Sequence, residues 1–153
     1  MDMSDLPVYT AADLETGPVL DVSAFTNDDA VRLGELAIAV IREHGWNLAV
    51  RIVLRGDIVF QAKLGTTGPG NDEWLAGKAA VVARFREPSL LVRRRHEEAG
   101  TPFADDETFR AHGGSMPILV NGELVGTITT SGEPDVIDHT ATSEAVARFL
   151  ASA

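Results

Sequence analysis

Residues 48–64, "LAVRIVLRGDIVFQAKL", decide the fold class of this chain. Apolar residues occupy every second position on both sides of the central "RGD", and this alternation is typical of strands with one buried face. Glycine and aspartate at the centre are common turn residues. The stretch therefore predicts a β-hairpin with Gly56-Asp57 in its turn.

Residues 117–132, "PILVNGELVGTITTSG", repeat the same pattern near the other end of the chain. Asn121-Gly122 between two apolar runs predicts a type I′ turn, which needs a positive φ at both central positions. Gly126 within the second run predicts a bulge or the close approach of another backbone. Because hairpins join antiparallel strands, two hairpins favour an antiparallel sheet.

The segments around the hairpins have the patterns of helices, with a possible short edge strand at residues 19–25. Thr26 or Asn27 can cap a helix that Gly45 ends. Asn71 or Asp72 can cap a second, Pro88 separates it from a third, and a fourth follows Pro134. The predicted fold class is α/β (α+β), with a central antiparallel sheet of about five strands and helices on its faces.

The length, the net charge and the residue composition limit the number of domains and the classes of partner that this chain can have. A chain of 153 residues predicts one domain, here residues 18–153, after a loosely ordered acidic arm at residues 1–17. The net charge of −10 disfavours nucleic acid and anionic membranes as partners. No apolar run approaches the roughly 20 residues of a membrane span. The absence of cysteine and of a visible signal peptide favours a cytoplasmic location.

Residues 111–122, "AHGGSMPILVNG", place a histidine beside two glycines just before a strand. His112 could ligate a metal such as haem iron, or it could pack and hydrogen-bond locally. The Gly113-Gly114-Ser115 amides could form an anion-binding nest, or the glycines could only permit the bend. The residues alone leave both pairs of alternatives open.

Two further candidates lie on predicted helices. Trp74 and Lys78 are four residues apart, so they share one helix face and could cover a flat ligand and bind its acid group. Trp74 could equally be a core or interface aromatic beside a solvated Lys78. His139 with Asp138 is a weaker candidate for a metal or acid–base site, because adjacent residues on a helix point in different directions.

Several motifs taken together resemble the UPF0303 family, a branch of the GlcG/HbpS/PduO-C-terminal (DUF336) superfamily often labelled "heme-degrading domain". They are "FTNDDAVRLG" (25–34), "GTTGPGNDEWLAGK" (65–78), "AHGGSMPI" (111–118) and "VGTITTSG" (125–132). The resemblance implies a profilin-like sandwich, homo-oligomers of eight or ten subunits, and haem or corrinoid binding in some members. The chain departs from the family pattern at Gly77, Met116 and Glu133, where an arginine, an aromatic and an apolar residue are usual.

Together these observations predict a homo-oligomeric domain that binds a small ligand, with haem or a related tetrapyrrole first. The pocket would be lined by Asn71, Trp74, Lys78 and the His112-Gly113-Gly114-Ser115 turn, with His112 as a possible iron ligand and His139 as a less favoured one. The residues leave open whether the domain is an enzyme, and they favour binding over catalysis. The alternatives are an enzyme (haem degradation, or a small-molecule lyase or isomerase using His112) and a ligand-free assembly protein whose interface is the apolar helix 26–44.

Overall fold

The computed structural model of the chain describes residues 5–152. Five helices and five strands follow one another along these residues. In chain order they are α1 (Ala11–Glu15), β1 (Leu20–Val22), α2 (Asn27–His44), β2 (Ala49–Leu54), β3 (Asp57–Lys63), α3 (Asp72–Phe85), α4 (Ser89–Glu98), β4 (Ser115–Val120), β5 (Glu123–Ser131) and α5 (Asp135–Ala151). A single turn of 3₁₀ helix, Pro69–Asn71, precedes α3.

The strands form one sheet in the order β1-β4-β5-β2-β3, which confirms the α/β class and the five-stranded sheet. The edge strand differs from the expectation, since β1 pairs with β4 in parallel while the other pairs are antiparallel. The reason is topological: α2 separates β1 from both hairpins, so β1 is not bound to a hairpin partner. The sheet is therefore mixed.

The two hairpin turns differ in how well sequence predicted them. Asn121 and Gly122 have φ angles of 50° and 79°, which confirms the predicted turn between β4 and β5. In the first hairpin the positive φ angles belong to Arg55 and Gly56, so the predicted Gly56-Asp57 turn is wrong by one residue. Asp57 instead pairs with Leu54 as the first residue of β3.

Gly126 lies at an irregular point of β5, as predicted. The register between β4 and β5 shifts after Ile118, which pairs with Gly126. A side chain at position 126 would collide with the backbone carbonyl of Val53 in the neighbouring strand β2. The glycine is therefore needed for the close approach of the two backbones beside the irregularity.

The helices form one layer on each face of the sheet. Helices α2 and α5 cover the main core, together with buried residues of β2, β4 and β5. Helices α3 and α4 lie on the other face, where α3 packs on β5 and β4. Thr26 caps α2 through a capping box and Gly45 ends it with a φ of 69°, as the sequence predicts.

The prediction of a loosely ordered arm at residues 1–17 is wrong for its described part. Residues 11–15 form α1, which Thr10 caps and which packs its apolar side against α4. Two groups fix it: Glu98 accepts a hydrogen bond from the Ala11 amide, and the Tyr9 hydroxyl bonds to Thr140. The first four residues of the predicted arm lie outside the described range.

Within residues 5–152, no helix combines the length and the apolar content that crossing a membrane requires.

Candidate functional site

A cavity of about 450 Å³ opens at the end of the sheet where β5 finishes. Three segments far apart in sequence meet there: the loop before α3 with the first turns of α3, the turn before β4, and the start of α5. The cavity is lined by Gly70, Asn71, Trp74, Lys78, His112, Ser131, Gly132, Glu133, Asp135 and Asp138. Its size lies within the range of small-ligand sites in proteins.

A buried ion pair forms one wall of the cavity. The Lys78 ammonium donates to Asp138 Oδ2 at 2.7 Å and to the Thr130 carbonyl at 3.0 Å. Both side chains are almost fully buried, with 3% and 2% of their surface exposed. The alternative of a solvated Lys78 is therefore wrong: the side chain crosses from α3 to the first turn of α5.

The environment of Asp138 makes its carboxyl unusual. Burial raises the pKa of Asp138 from 3.8 to about 6, although the Lys78 ammonium and the backbone amides of Glu133 and Gly132 work in the opposite direction. A carboxyl of this kind in a cavity is found in acid–base sites and also in structural ion pairs. The geometry here gives Asp138 a counter-ion and at least one backbone donor.

His112 also lines the cavity, and both of its ring nitrogens are engaged. Arg93 bonds to Nδ1 at 2.8 Å, and because a guanidinium can only donate, Nδ1 accepts and the ring proton is on Nε2. Nε2 then donates to Asp105 Oδ2 at 2.5 Å. The same Arg93 nitrogen also donates to Asp135 at 2.6 Å, so the four side chains form one network.

This network leaves no ring nitrogen of His112 available as a metal ligand, since iron needs the lone pair that Arg93 occupies. Among residues 5–152 there is also no group of three or more histidine and carboxylate side chains placed to hold a metal ion. The residues present do not fit the role of axial iron ligand that the sequence raised for His112.

His139 lies outside the cavity lining. Its ring packs edge-on against Tyr9 at 5.0 Å between centroids, and its Nδ1 is buried with no hydrogen-bond partner among the described residues. Burial lowers its pKa from 6.5 to about 4. Asp138 does not orient it, because that carboxylate bonds to Lys78 and to backbone amides instead.

The Gly113-Gly114-Ser115 turn does not present a nest to the cavity. The Gly113 amide donates to Asp135, and the Ser115 amide donates to the Ser89 hydroxyl on the α4 side of the sheet. A side chain at position 113 would collide with the Asp135 carbonyl, and one at position 114 with the Thr130 carbonyl. These glycines let the turn pack directly against α5 and β5.

Trp74 stands at the rim with 37% of its surface exposed. The edge of its ring meets His112 at 5.2 Å between centroids, and the Arg110 guanidinium lies over the ring at 4.4 Å. Gly77 makes room for Arg110, because a Cβ at position 77 would lie 2.7 Å from Arg110 Cγ. Arg110, which belongs to another segment, thus places its guanidinium beside the turn of α3 that contains Gly77.

Asn71 and Glu133 complete the cavity. The Asn71 side chain accepts from the Gly68 amide and donates to the Ser131 carbonyl, so it ties the loop to the end of β5. One carboxylate oxygen of Glu133 accepts from the Asn47 amide at 2.8 Å. Among the described residues, no cationic side chain pairs with Glu133.

The structure thus places Asn71, Trp74, Lys78 and His112 in one cavity, whereas Gly113, Gly114, Ser115 and His139 are not part of its lining. The sequence did not indicate the charged residues that surround the four in the cavity, which are Arg93, Asp105, Glu133 and Asp135. It also did not indicate that Asp138 pairs with Lys78. A weak signal existed in the basic run "RRR" at 93–95, because three adjacent arginines are compatible with a phosphate or propionate contact as well as with a solvated helix face. Arg93 lies four residues before Glu97 and contacts it, yet its shorter bonds are to His112 and Asp135.

Comparison with known proteins gives consistent matches over most of the chain. A family model described as "Haem degrading protein HbpS-like" matches residues 25–147. The UPF0303 protein SCO2848 of Streptomyces coelicolor is 42% identical over 132 residues, which cover 82% of this chain and 84% of that protein.

Solved structures share the fold. The crystal structure of the Ybr137w protein superposes with a TM-score of 0.80 at 25% identity, covering 95% of this chain and 91% of that one. The crystal structure of a PduOC:heme complex gives a TM-score of 0.69 at 17% identity, covering 81% of this chain and 94% of the other. At that identity the second match supports a common fold alone.

Proposed function

The chain belongs to the HbpS-like family, in its UPF0303 branch, and on that basis we propose that it binds a small ligand in the cavity between α3, α5 and the 111–114 turn. One observation carries the proposal. Asn71, Trp74, Lys78 and His112 come from two segments more than 30 residues apart, yet they line one cavity of about 450 Å³. A concave site with several converging polar groups is the usual form of a ligand site.

Binding, rather than catalysis by His112, is the function that the geometry favours. A general base must offer a free lone pair to its substrate. The lone pair of His112 is occupied by Arg93, and its proton is held by Asp105. The same two bonds count against His112 as a ligand of haem iron. The family description and the name of the PduOC:heme complex both mention haem, but we do not propose a bond between His112 and iron.

We expect hemin added to the purified protein at neutral pH to give no Soret band of a histidine-ligated iron. The His112→Ala variant should give the same spectrum as the wild type, because the imidazole is already fully bonded. The measurement is an absorbance titration of both proteins with hemin, with free hemin as the blank. A sharp, shifted Soret band that the variant loses would contradict the arrangement described above.

The binding proposal can be tested with the two tryptophans of the chain. Trp74 lines the cavity, whereas Trp46 stacks on His44 at 4.0 Å and is absent from the lining. Protein labelled with 5-fluorotryptophan gives two fluorine NMR signals, which Trp46→Phe assigns. We expect at least one compound from a panel of small amines, carboxylates and neutral polyols to move the Trp74 signal alone. Failure of the whole panel at millimolar concentration would refute the proposal.

The second part of the proposal is that copies of the chain associate, through a surface other than the α2 face that the sequence suggested. The apolar residues of α2, which sequence suggested as an interface, are mostly buried against the chain's own sheet, and Val31 is the one large apolar residue of α2 that is clearly exposed. The solvent side of α3 instead forms an apolar groove of about 430 Å³ with the turn ends of both hairpins. Its lining includes Ala76, Ala79, Ala80, Ala83, Leu124 and Val125. A second copy of the chain is the occupant proposed for this groove.

We expect light scattering at micromolar concentration to give the mass of more than one subunit. Ala83→Glu should shift the protein toward the monomer, since it places a charge in the apolar groove without touching the core. Val31→Glu on α2 is the matched control and should leave the mass unchanged. A monomeric wild type would refute the assembly, and a loss of mass in the α2 variant alone would return the interface to α2.

A further inference from the structure

The charges that line the cavity are unequally compensated. Lys78 neutralises Asp138, and Arg93 neutralises Asp135 at 2.6 Å. Glu133 is the third carboxylate of the lining, and no cationic side chain in residues 5–152 lies within ion-pair distance of it. The cavity therefore keeps an uncompensated negative charge at Glu133.

Glu133 is held in place rather than loosely solvated. Its Oε2 accepts from the Asn47 amide at 2.8 Å, and its own amide donates to Asp138 Oδ1 at 3.0 Å. The second carboxylate oxygen has no hydrogen bond within the described part of the chain. A fixed carboxylate with an unused oxygen in a cavity is suited to a cationic donor.

Lys78 supplies an independent observation that points to a ligand. An ammonium carries three donors, and two of these are used by Asp138 and the Thr130 carbonyl. The side chain is 3% exposed and lines the cavity, so its third donor can find an acceptor only inside that cavity. An occupant that carries an acceptor oxygen would complete the bonding of this buried cation.

Other occupants fit the lining less well. An anion would be repelled by the uncompensated carboxylate of Glu133, and the first turns of α3 and α5 already hold acidic residues that compensate their helix dipoles. A divalent metal ion would need several carboxylates to converge, and no such group of three exists among the described residues. A tetrapyrrole carries acidic side chains on an apolar ring, whereas this lining is polar and bears an excess of negative charge.

From these observations, and resting on the proposed function of the cavity, we propose that its ligand is a small protonated amine that also carries a hydroxyl or carbonyl oxygen. The ammonium would bind Glu133, and the oxygen would accept from Lys78. Trp74, with more than a third of its surface exposed at the rim, would cover the apolar part of such a molecule.

The test uses three probes with a two-carbon frame and the fluorine signals of Trp74 and Trp46. They are ethanolamine, which has the required amine and hydroxyl, glycolate, which replaces the amine by a carboxylate, and ethylene glycol, which is neutral. Each is titrated at constant ionic strength. We expect ethanolamine to move the Trp74 signal with an affinity about tenfold or more above that of the other two probes.

Glu133→Gln should weaken ethanolamine binding about tenfold, since glutamine keeps an acceptor for the Asn47 amide and loses only the charge. Glu123→Gln is the matched control, because Glu123 is an exposed glutamate at the opposite end of β5. An unchanged melting temperature in both variants shows that the fold is retained.

The outcomes separate the two proposals. If glycolate or ethylene glycol moves the Trp74 signal as well as ethanolamine does, or if Glu133→Gln binds ethanolamine like the wild type, the amine inference is overturned and ligand binding stands. If no compound of the wider panel moves the signal, both proposals fall.

Discussion

Replacing Lys78 by methionine should destabilise the protein by about 3–5 kcal/mol at pH 8, the cost typical of removing one partner of a buried ion pair. Methionine fills much of the volume of the lysine stem, so the loss is electrostatic rather than a cavity effect. Asp138 is 2% exposed and would be left as a buried charge without its counter-ion. For a domain of this size the melting temperature should fall by about 10 °C or more.

The size of this loss should depend on pH, and the sign follows from the raised pKa of Asp138. With a folded pKa of about 6 and an ordinary value of 3.8, the folded state binds the proton more tightly than the unfolded chain. Asp138 therefore contributes most at low pH, and its contribution falls as the pH rises through that interval. Without the Lys78 ammonium the folded pKa should rise further, so the variant should continue to lose stability above pH 6.

The difference between wild type and Lys78→Met should accordingly be small near pH 5 and largest near pH 8. His139, whose pKa is lowered to about 4, titrates in both proteins and cancels in the difference. Chemical denaturation at several pH values measures this directly. A loss of equal size at pH 5 and pH 8 would contradict the electrostatic explanation.

Two variants serve as controls for this prediction. The double variant Lys78→Met, Asp138→Asn removes both charges, so it should recover a large part of the stability lost at pH 8. Lys63→Met breaks a second lysine–aspartate contact of similar length, 2.9 Å to Asp72, but at the surface. Its melting temperature should stay close to that of the wild type, because solvent screens exposed pairs.

The parts of the fold that sequence could predict are those fixed by local chemistry. Period-two alternation marked both hairpins, and Asn121-Gly122 specified its turn, since few other pairs adopt positive φ twice. The first hairpin turn was misplaced by one residue because Arg55 adopts a φ of 51°, which arginine rarely does. Helix α1 and the parallel pairing of β1 escaped prediction, since both elements are short and depend on their docking to α4 and β4.

The candidate site divides in the same way. Trp74 and Lys78 could be placed together because they share one helix turn. The bond between Lys78 and Asp138 spans 60 residues, and that between Arg93 and Asp135 spans 42. No local pattern specifies which distant charges pair, so the burial of Lys78 and the network around His112 emerged only with the tertiary structure.

Replacing Gly114 by alanine should be among the most damaging single changes in the chain, with an expected loss of about 3 kcal/mol or more. Two physical reasons combine. The φ of Gly114 is 134°, a backbone conformation that residues with a side chain rarely adopt. The added methyl group would also be driven into the Thr130 carbonyl and would lie 3.1 Å from the Lys78 ammonium.

Neither collision can be relieved cheaply. Thr130 is buried in the central strand β5, and its amide donates to the Gly114 carbonyl, which also accepts from the Thr142 hydroxyl of α5. Moving this turn therefore breaks contacts of β5 and α5 together with the Lys78 pair. Thermal unfolding should show the loss as a drop of about 10 °C.

Gly70→Ala is the matched control, because Gly70 lines the same cavity and has no left-handed φ, and a methyl group at that position would meet no atom within 4 Å. It should be neutral or stabilising by up to about 1 kcal/mol, through the lower entropy of the unfolded chain. Equal melting temperatures for the two variants would contradict the packing explanation of Gly114. If the predicted difference is found, the demands of the fold suffice to explain Gly114, the second glycine after His112, and evidence for a ligand must come from Glu133, Lys78 and Trp74 instead.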